Sequence, residues 1–87
     1  MKFAVVVEVS ALEGISDPEA ATIERALPLL GFDRVSGLRA GRIFHFVVDA
    51  GDVAEARSVA DDLSHRLLAN PVIQRADVSV QPAEVSV

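Results

Sequence analysis

The chain has 87 residues, no cysteine, 51% apolar residues and a formal net charge of −5. Such a length allows one domain, which buries only about 60% of the surface its unfolded chain exposes, so pairing with another chain is a common source of extra core. The composition excludes a disulfide framework and a thiolate metal site, and the acidic balance gives no general attraction for nucleic acid or anionic membrane.

Residues 3–9 alternate as a strand, with Phe3, Val5, Val7 and Val9 on one face and Ala4, Val6 and Glu8 on the other. Glu8 breaks the apolar run well short of the ~18 residues of a membrane span. No small-residue cleavage site follows, so the expected compartment is the cytoplasm. A loop over 10–16 leads to a helix. Asp17 with Pro18 at the first helical position reads as one cap, and Ser16 with Glu19 as a capping box one residue earlier; both readings stand. Ile23, Ala26, Leu27 and Leu30 repeat at helical spacing, and Gly31 suits the stop. Pro28 conflicts with a helix interior, so a kink or a tightened last turn is expected there.

Residues 34–40 and 42–49 read as two strands joined tightly around Ala40-Gly41. Asp52 caps a second helix whose expected buried stripe is Val53, Ala56, Ala60, Leu63 and Leu67. Asn70 suits a left-handed helix end and Pro71 cannot continue a helix. Residues 72–80 form the last strand, and 81–87 are expected to be a flexible tail after a single domain over 1–80.

This order, β-α-β-β-α-β, predicts an α+β two-layer sandwich related to the ferredoxin-like fold, an antiparallel sheet with its helices on one face. The other face should then be polar. It carries Ala4, Val6, Ile43 and Val47 instead, and a contiguous apolar patch of this kind marks an interface. Val6, Ile43 and Val47 are the candidate self-association face.

The sequence carries no recognisable reaction centre. His45 and His65 lie on different elements without ligand spacing, and Asp61-Asp62 are helix neighbours that do not face each other. There is no nucleophile elbow, phosphate loop or dinucleotide fingerprint. Spaced phenylalanines in "GRIFHFVV" are similar to an RNA-stacking strand, but the acidic balance and the lack of tyrosine and tryptophan favour core positions for Phe44 and Phe46. An acylphosphatase-like loop would need arginine where residues 10–16 have no basic residue.

The segment "LLANPVI" after the second helix resembles the PurS family, the small subunit of phosphoribosylformylglycinamidine synthase. "EGISDPEAATIERAL" resembles that family's K-x-G-V-x-D-P-x-G opening and first helix, and "LLGFDRVSGLRAGR" its LGF-x-x-V-x-x-V-R-x-G-K. The order and spacing of these pieces over residues 1–80 make the combination specific. Departures are Ala20 or Ala21 where glycine is frequent, Arg42 for lysine, Gln74 for glutamate, Ala76 for an aromatic, Pro28 and the tail.

The resemblance implies a dimer, or a dimer of dimers, built through the sheets. It implies partnership with the glutaminase PurQ and the synthetase PurL in purine synthesis. That complex makes formylglycinamidine ribonucleotide from formylglycinamide ribonucleotide, glutamine and ATP, with Mg, and no cofactor is bound by this chain. The small subunit is expected to bridge the catalytic subunits and support ammonia transfer. Candidate partner-docking residues are Arg39, Gly41, Arg42, Asn70 and Pro71; simple turn geometry and solvation are the competing reading for them. A stand-alone ligand-binding regulatory module of the same shape is the alternative function.

Overall fold

The structure, a computed structural model, describes residues 1–83. Three strands, β1 (Lys2–Ala11), β2 (Gly41–Asp49) and β3 (Gln74–Pro82), form an antiparallel sheet in the order β2-β1-β3. The helices are α1 (Pro18–Ala26) and α2 (Val53–Leu63). The α+β class and the antiparallel sheet agree with the sequence reading.

The alternation in β1 sorts its side chains as expected. Phe3, Val5, Val7 and Val9 are buried on the inner face, opposite Val48, Phe46 and Phe44 of β2 and Val80, Val78 and Ala76 of β3. Full burial of each such valine contributes about 1.5–3 kcal/mol, so the central strand anchors the core.

Helix α2 covers this face through Ala56 and Ala60, both fully buried, and through Ser64. Their small side chains let the helix approach the sheet closely. The Ser64 hydroxyl donates to the Ala60 carbonyl at 2.7 Å, which satisfies its only buried polar atom. The expected stripe is therefore corrected. Val53 is exposed and Leu67 is 74% exposed, while Leu68 packs on the core. The cause is a π turn over Ser64–Leu68, closed by the Ala69 N–H donating to the Ser64 carbonyl at 2.9 Å. Such a turn is wider than an α turn, so Leu68 instead of Leu67 follows Ser64 onto the inner face.

Contacts decide between the two cap readings of α1. Asp17 is the cap of α1, its Oδ1 accepting from the Ala20 N–H at 3.1 Å with Pro18 first in the helix. Asp52 caps α2 by accepting from the Glu55 N–H at 2.8 Å. At Pro28 the helix tightens into a 3₁₀ turn (Pro28–Leu30) that ends at Gly31, whose φ of 87° is in the left-handed region.

Residues 34–40 do not form the expected strand. Gly37 takes a φ of 68°, which interrupts extension. The Ala40 N–H is spent on Asp17 Oδ2 at 3.3 Å, and no ladder partner is engaged. The element order is β-α-β-α-β, and the outer edge of β2 pairs with nothing among the described residues. The last strand starts two residues later than expected because the Asn70 carbonyl holds the N–H groups of both Ile73 and Gln74. It also runs two residues further, to Pro82. The expected tail otherwise lies, from 84 onward, outside the described residues.

Candidate assembly surfaces

The outer face of the sheet divides lengthwise. Its β1–β2 half carries Ala4, Val6, Ile43 and Val47, with His45 opposite Val6. Ile43 is 55% and Val47 58% exposed. The β3 half is polar, with Arg75, Asp77, Ser79 and Gln81. The candidate self-association residues Val6, Ile43 and Val47 thus come together on two adjacent strands. The patch is half of the face and not the whole of it.

The candidate docking residues gather at one end of the sheet. Ser10 of β1 pairs with Gly41 on one side, and Ala11 pairs with Gln74 on the other. Arg39 arrives on an irregular segment and is pinned there: its Nη2 donates to Ser10 Oγ at 3.3 Å and to the Ala11 carbonyl at 3.2 Å. Gly41 opens β2 and is not the centre of a hairpin turn, which corrects its expected role. A Cβ at this position would lie 2.6 Å from the Val9 carbonyl oxygen, so close approach of two backbones is what requires glycine.

Arg39, Arg42 and Arg75 line a cleft of about 290 Å³ together with Glu8 and Asp77. Asp77 already holds Arg75 through two short contacts, Nη2–Oδ2 at 3.0 Å and Nη2–Oδ1 at 3.1 Å. That hydrogen-bonded, opposite charge raises the Arg75 pKa above the ordinary arginine range. Arg39 and Arg42 enter no ion pair among the described residues. Arg75 was not singled out in the sequence; only the register of β3 against β1 shows that it shares a cleft with Arg39.

Asn70 and Pro71 sit on the opposite flank of β1. Asn70 does not adopt a left-handed conformation; among the described residues none other than glycine has positive φ. Its Oδ1 accepts from the Val72 N–H at 3.1 Å, and its own N–H donates to Gln74 Oε1 at 2.8 Å. Both the side chain and the backbone of Asn70 are therefore used to turn the chain from the π turn into β3. Pro71 is exposed beside Val72, which is largely uncovered.

His45 and His65 remain apart, and among the described residues no group of three or more His, Asp or Glu side chains is placed to hold a metal ion. No helix among them is long and apolar enough to cross a membrane. What the fold presents is a small α+β domain with an apolar half to its outer sheet face and an arginine-bearing sheet end.

Comparison with known proteins makes this specific. The profile of the family described as PurS, phosphoribosylformylglycinamidine (FGAM) synthase, matches residues 4–82. The chain belongs to the PurS family. It is 40% identical over 84 residues to the phosphoribosylformylglycinamidine synthase subunit PurS of Methanothermobacter thermautotrophicus, covering 97% of this chain and 99% of that one. Among solved structures it is similar to a chain of the Thermotoga maritima PurLQS structure, with a TM-score of 0.84 at 29% identity over 92% of this chain and 98% of the other. It is also similar to PurS of Methanocaldococcus jannaschii, a subunit of formylglycinamide ribonucleotide amidotransferase, with a TM-score of 0.81 at 28% identity over 97% and 100%.

Proposed function

We propose that this chain is the non-catalytic assembly subunit of a phosphoribosylformylglycinamidine synthase in purine synthesis. The observation that carries the reading is the near-full-length similarity to PurS chains, one of them from a PurLQS structure. The partners are a glutaminase of PurQ type, a synthetase of PurL type and further copies of this chain, in the cytoplasm. ATP and Mg are used by the complex and held outside this chain.

The contribution of this subunit is geometric. Ammonia released at a glutaminase must reach the synthetase site, and holding two catalytic subunits in one pose replaces diffusion by positioning. Self-association uses Val6, Ile43 and Val47, the apolar half of the outer face. Docking uses the sheet end, where the guanidiniums of Arg39 and Arg42, in no ion pair among the described residues, suit carboxylates on a partner and Gly41 keeps the strands close enough to present them. Asn70 supports the same end by shaping the turn that displays Pro71.

The test is a reconstituted synthase assayed with glutamine and with ammonia, with and without this chain. Omission should abolish most glutamine-dependent turnover and spare ammonia-dependent turnover. Arg39→Ala with Arg42→Ala should reproduce part of that loss. Equal glutamine-dependent rates without the chain would remove the bridging role, and a bound metabolite with no protein partner would favour the ligand-binding alternative.

A further inference from the structure

Strand parity builds the cleft at the sheet end. On the outer face one cross-strand row runs Gly41, Ser10, Arg75, and the next row inward runs Ile43, Glu8, Asp77. Gly41 has no side chain, so the first row stays open beside Ser10. Arg39 reaches Ser10 across that opening, Arg42 borders it from β2, and with Arg75 they line the cleft of about 290 Å³. The arm of residues 18–35 leaves and rejoins the sheet here. Asp17 ties its start to the Ala40 N–H, and Arg39 ties the returning chain to the end of β1. These contacts hold Arg39 in place in the free chain.

Donors exceed acceptors in this cleft. A guanidinium carries five N–H groups. Arg39 engages only Nη2, with Ser10 Oγ and the Ala11 carbonyl, so its Nε and Nη1 donors have no partner among the described residues. Arg75 gives Nε and Nη2 to Asp77, which leaves its Nη1 donors without a partner among them. Arg42 enters no ion pair there, and the Ser10 hydroxyl accepts from Arg39 with its own proton still to give. Two carboxylates oppose these cations. Asp77 is occupied by Arg75, and Glu8 lies in the second row, so an incoming anion is confined to the row of Gly41, Ser10 and Arg75. Three cations thus face two carboxylates in a chain whose net charge is −5.

We propose that this cleft binds a phosphoryl group, as inorganic phosphate or diphosphate or on a small organic phosphate, between Arg39, Arg42 and Arg75. A carboxylate is planar and matches one guanidinium fork. A phosphoryl group presents its oxygens tetrahedrally and accepts from guanidiniums that approach from different elements, here the 34–40 segment, β2 and β3. The Ser10 hydroxyl adds a neutral donor on the floor. The volume stands at the lower limit of the ~300–1,000 Å³ of small-molecule sites, so the cleft takes the phosphoryl end and leaves the rest of an organic phosphate outside. Arg39 and Arg42 are also the proposed docking residues, so a phosphoryl ligand and a partner's carboxylates compete for this end. The binding itself stands without the docking role.

The intact chain is titrated by calorimetry and by proton–nitrogen NMR of the arginine Nε–H groups, at fixed ionic strength because surface charges are screened by salt. The probes are inorganic phosphate, pyrophosphate and adenosine monophosphate, with citrate as the carboxylate control. Pyrophosphate should bind saturably with a Kd below about 1 mM and shift the Arg39 Nε–H resonance. Arg39→Ala with Arg42→Ala should weaken it by about 10-fold or more. Glu8→Gln removes an opposing charge and should tighten it about threefold, a gain that no loss of folding can imitate. Tighter binding of adenosine monophosphate than of inorganic phosphate assigns the cleft to organic phosphates, and the reverse order assigns it to the inorganic ion. Absence of saturable binding overturns the proposal, as does a double variant that binds like wild type or a Glu8→Gln chain of unchanged affinity. Citrate bound as tightly as pyrophosphate overturns the phosphoryl class in favour of partner carboxylates. The titration uses this chain alone, so its result is separate from that of the reconstituted synthase: binding without an effect on glutamine-dependent turnover removes the bridging role and leaves the site.

Discussion

Asp17 carries two structural duties with one carboxylate, and separating them tests how the arm is held. Oδ1 caps α1 at the Ala20 N–H, 3.1 Å away, and Oδ2 tethers the Ala40 N–H at 3.3 Å. Asp17→Ala removes both. Loss of a cap costs about 1 kcal/mol. The tether is only partly buried, and losing a hydrogen bond that water can partly replace costs about 0.5–1.5 kcal/mol. The total is about 2 kcal/mol, and at roughly 4–8 °C per kcal/mol for a domain of this size the midpoint should fall by roughly 8–16 °C. Asp17→Asn has one acceptor oxygen, so it satisfies one of the two N–H groups whichever way the amide turns. It should lose about half as much. Thermal unfolding followed by far-UV circular dichroism at one fixed protein concentration measures this, because assembly makes the midpoint concentration-dependent. An Asp17→Asn midpoint as low as that of Asp17→Ala would refute the division of labour. So would two variants that both unfold within about 2 °C of wild type.

Three further outcomes follow from other contacts. Gly41→Ala places a methyl carbon against the Val9 carbonyl and should destabilise by about 1–3 kcal/mol in denaturant unfolding, with reduced complex formation as a consequence. An unchanged denaturation midpoint would show that this end of β2 yields freely. Pro28→Ala should leave assembly intact and shift stability by no more than about 1 kcal/mol, since the 3₁₀ turn is exposed and a continued helix fits there; a loss above about 2 kcal/mol would show that the proline turn is required. Val47→Lys should weaken association, seen by sedimentation, far more than Ser58→Lys on the solvent side of α2, because an unpaired ammonium buried in an interface is costly. Equal effects would move the interface elsewhere.

The local signals in the chain carried the elements whose cause is local. Alternation over 3–9 set the inner and outer faces of β1, because a strand side chain has only two directions to point. Asp52, Gly31 and Pro28 marked boundaries correctly, because capping and ring sterics act within one turn. Of the candidate surfaces, Val6, Ile43 and Val47 were recognisable as a shared face from strand parity alone. So was the membership of the chain in its family, from ordered short motifs.

What required the tertiary structure was every decision that depends on a partner distant in sequence. Whether 34–40 forms a strand turned on Ala40 finding Asp17 in place of a ladder, 23 residues away. Asn70 ended up in a side-chain turn because Gln74 was held in register with Ala11. On α2 the inner stripe followed the small side chains that let the helix settle on the sheet and the wider turn at Ser64, so Leu67 was left outside despite its spacing. Arg75 joined Arg39 only through the pairing of β3 with β1. The position of α1, off the sheet with its apolar side open, is the extreme case: its sequence is that of a helix seeking a core, and periodicity specifies that a face is to be covered without specifying which surface covers it.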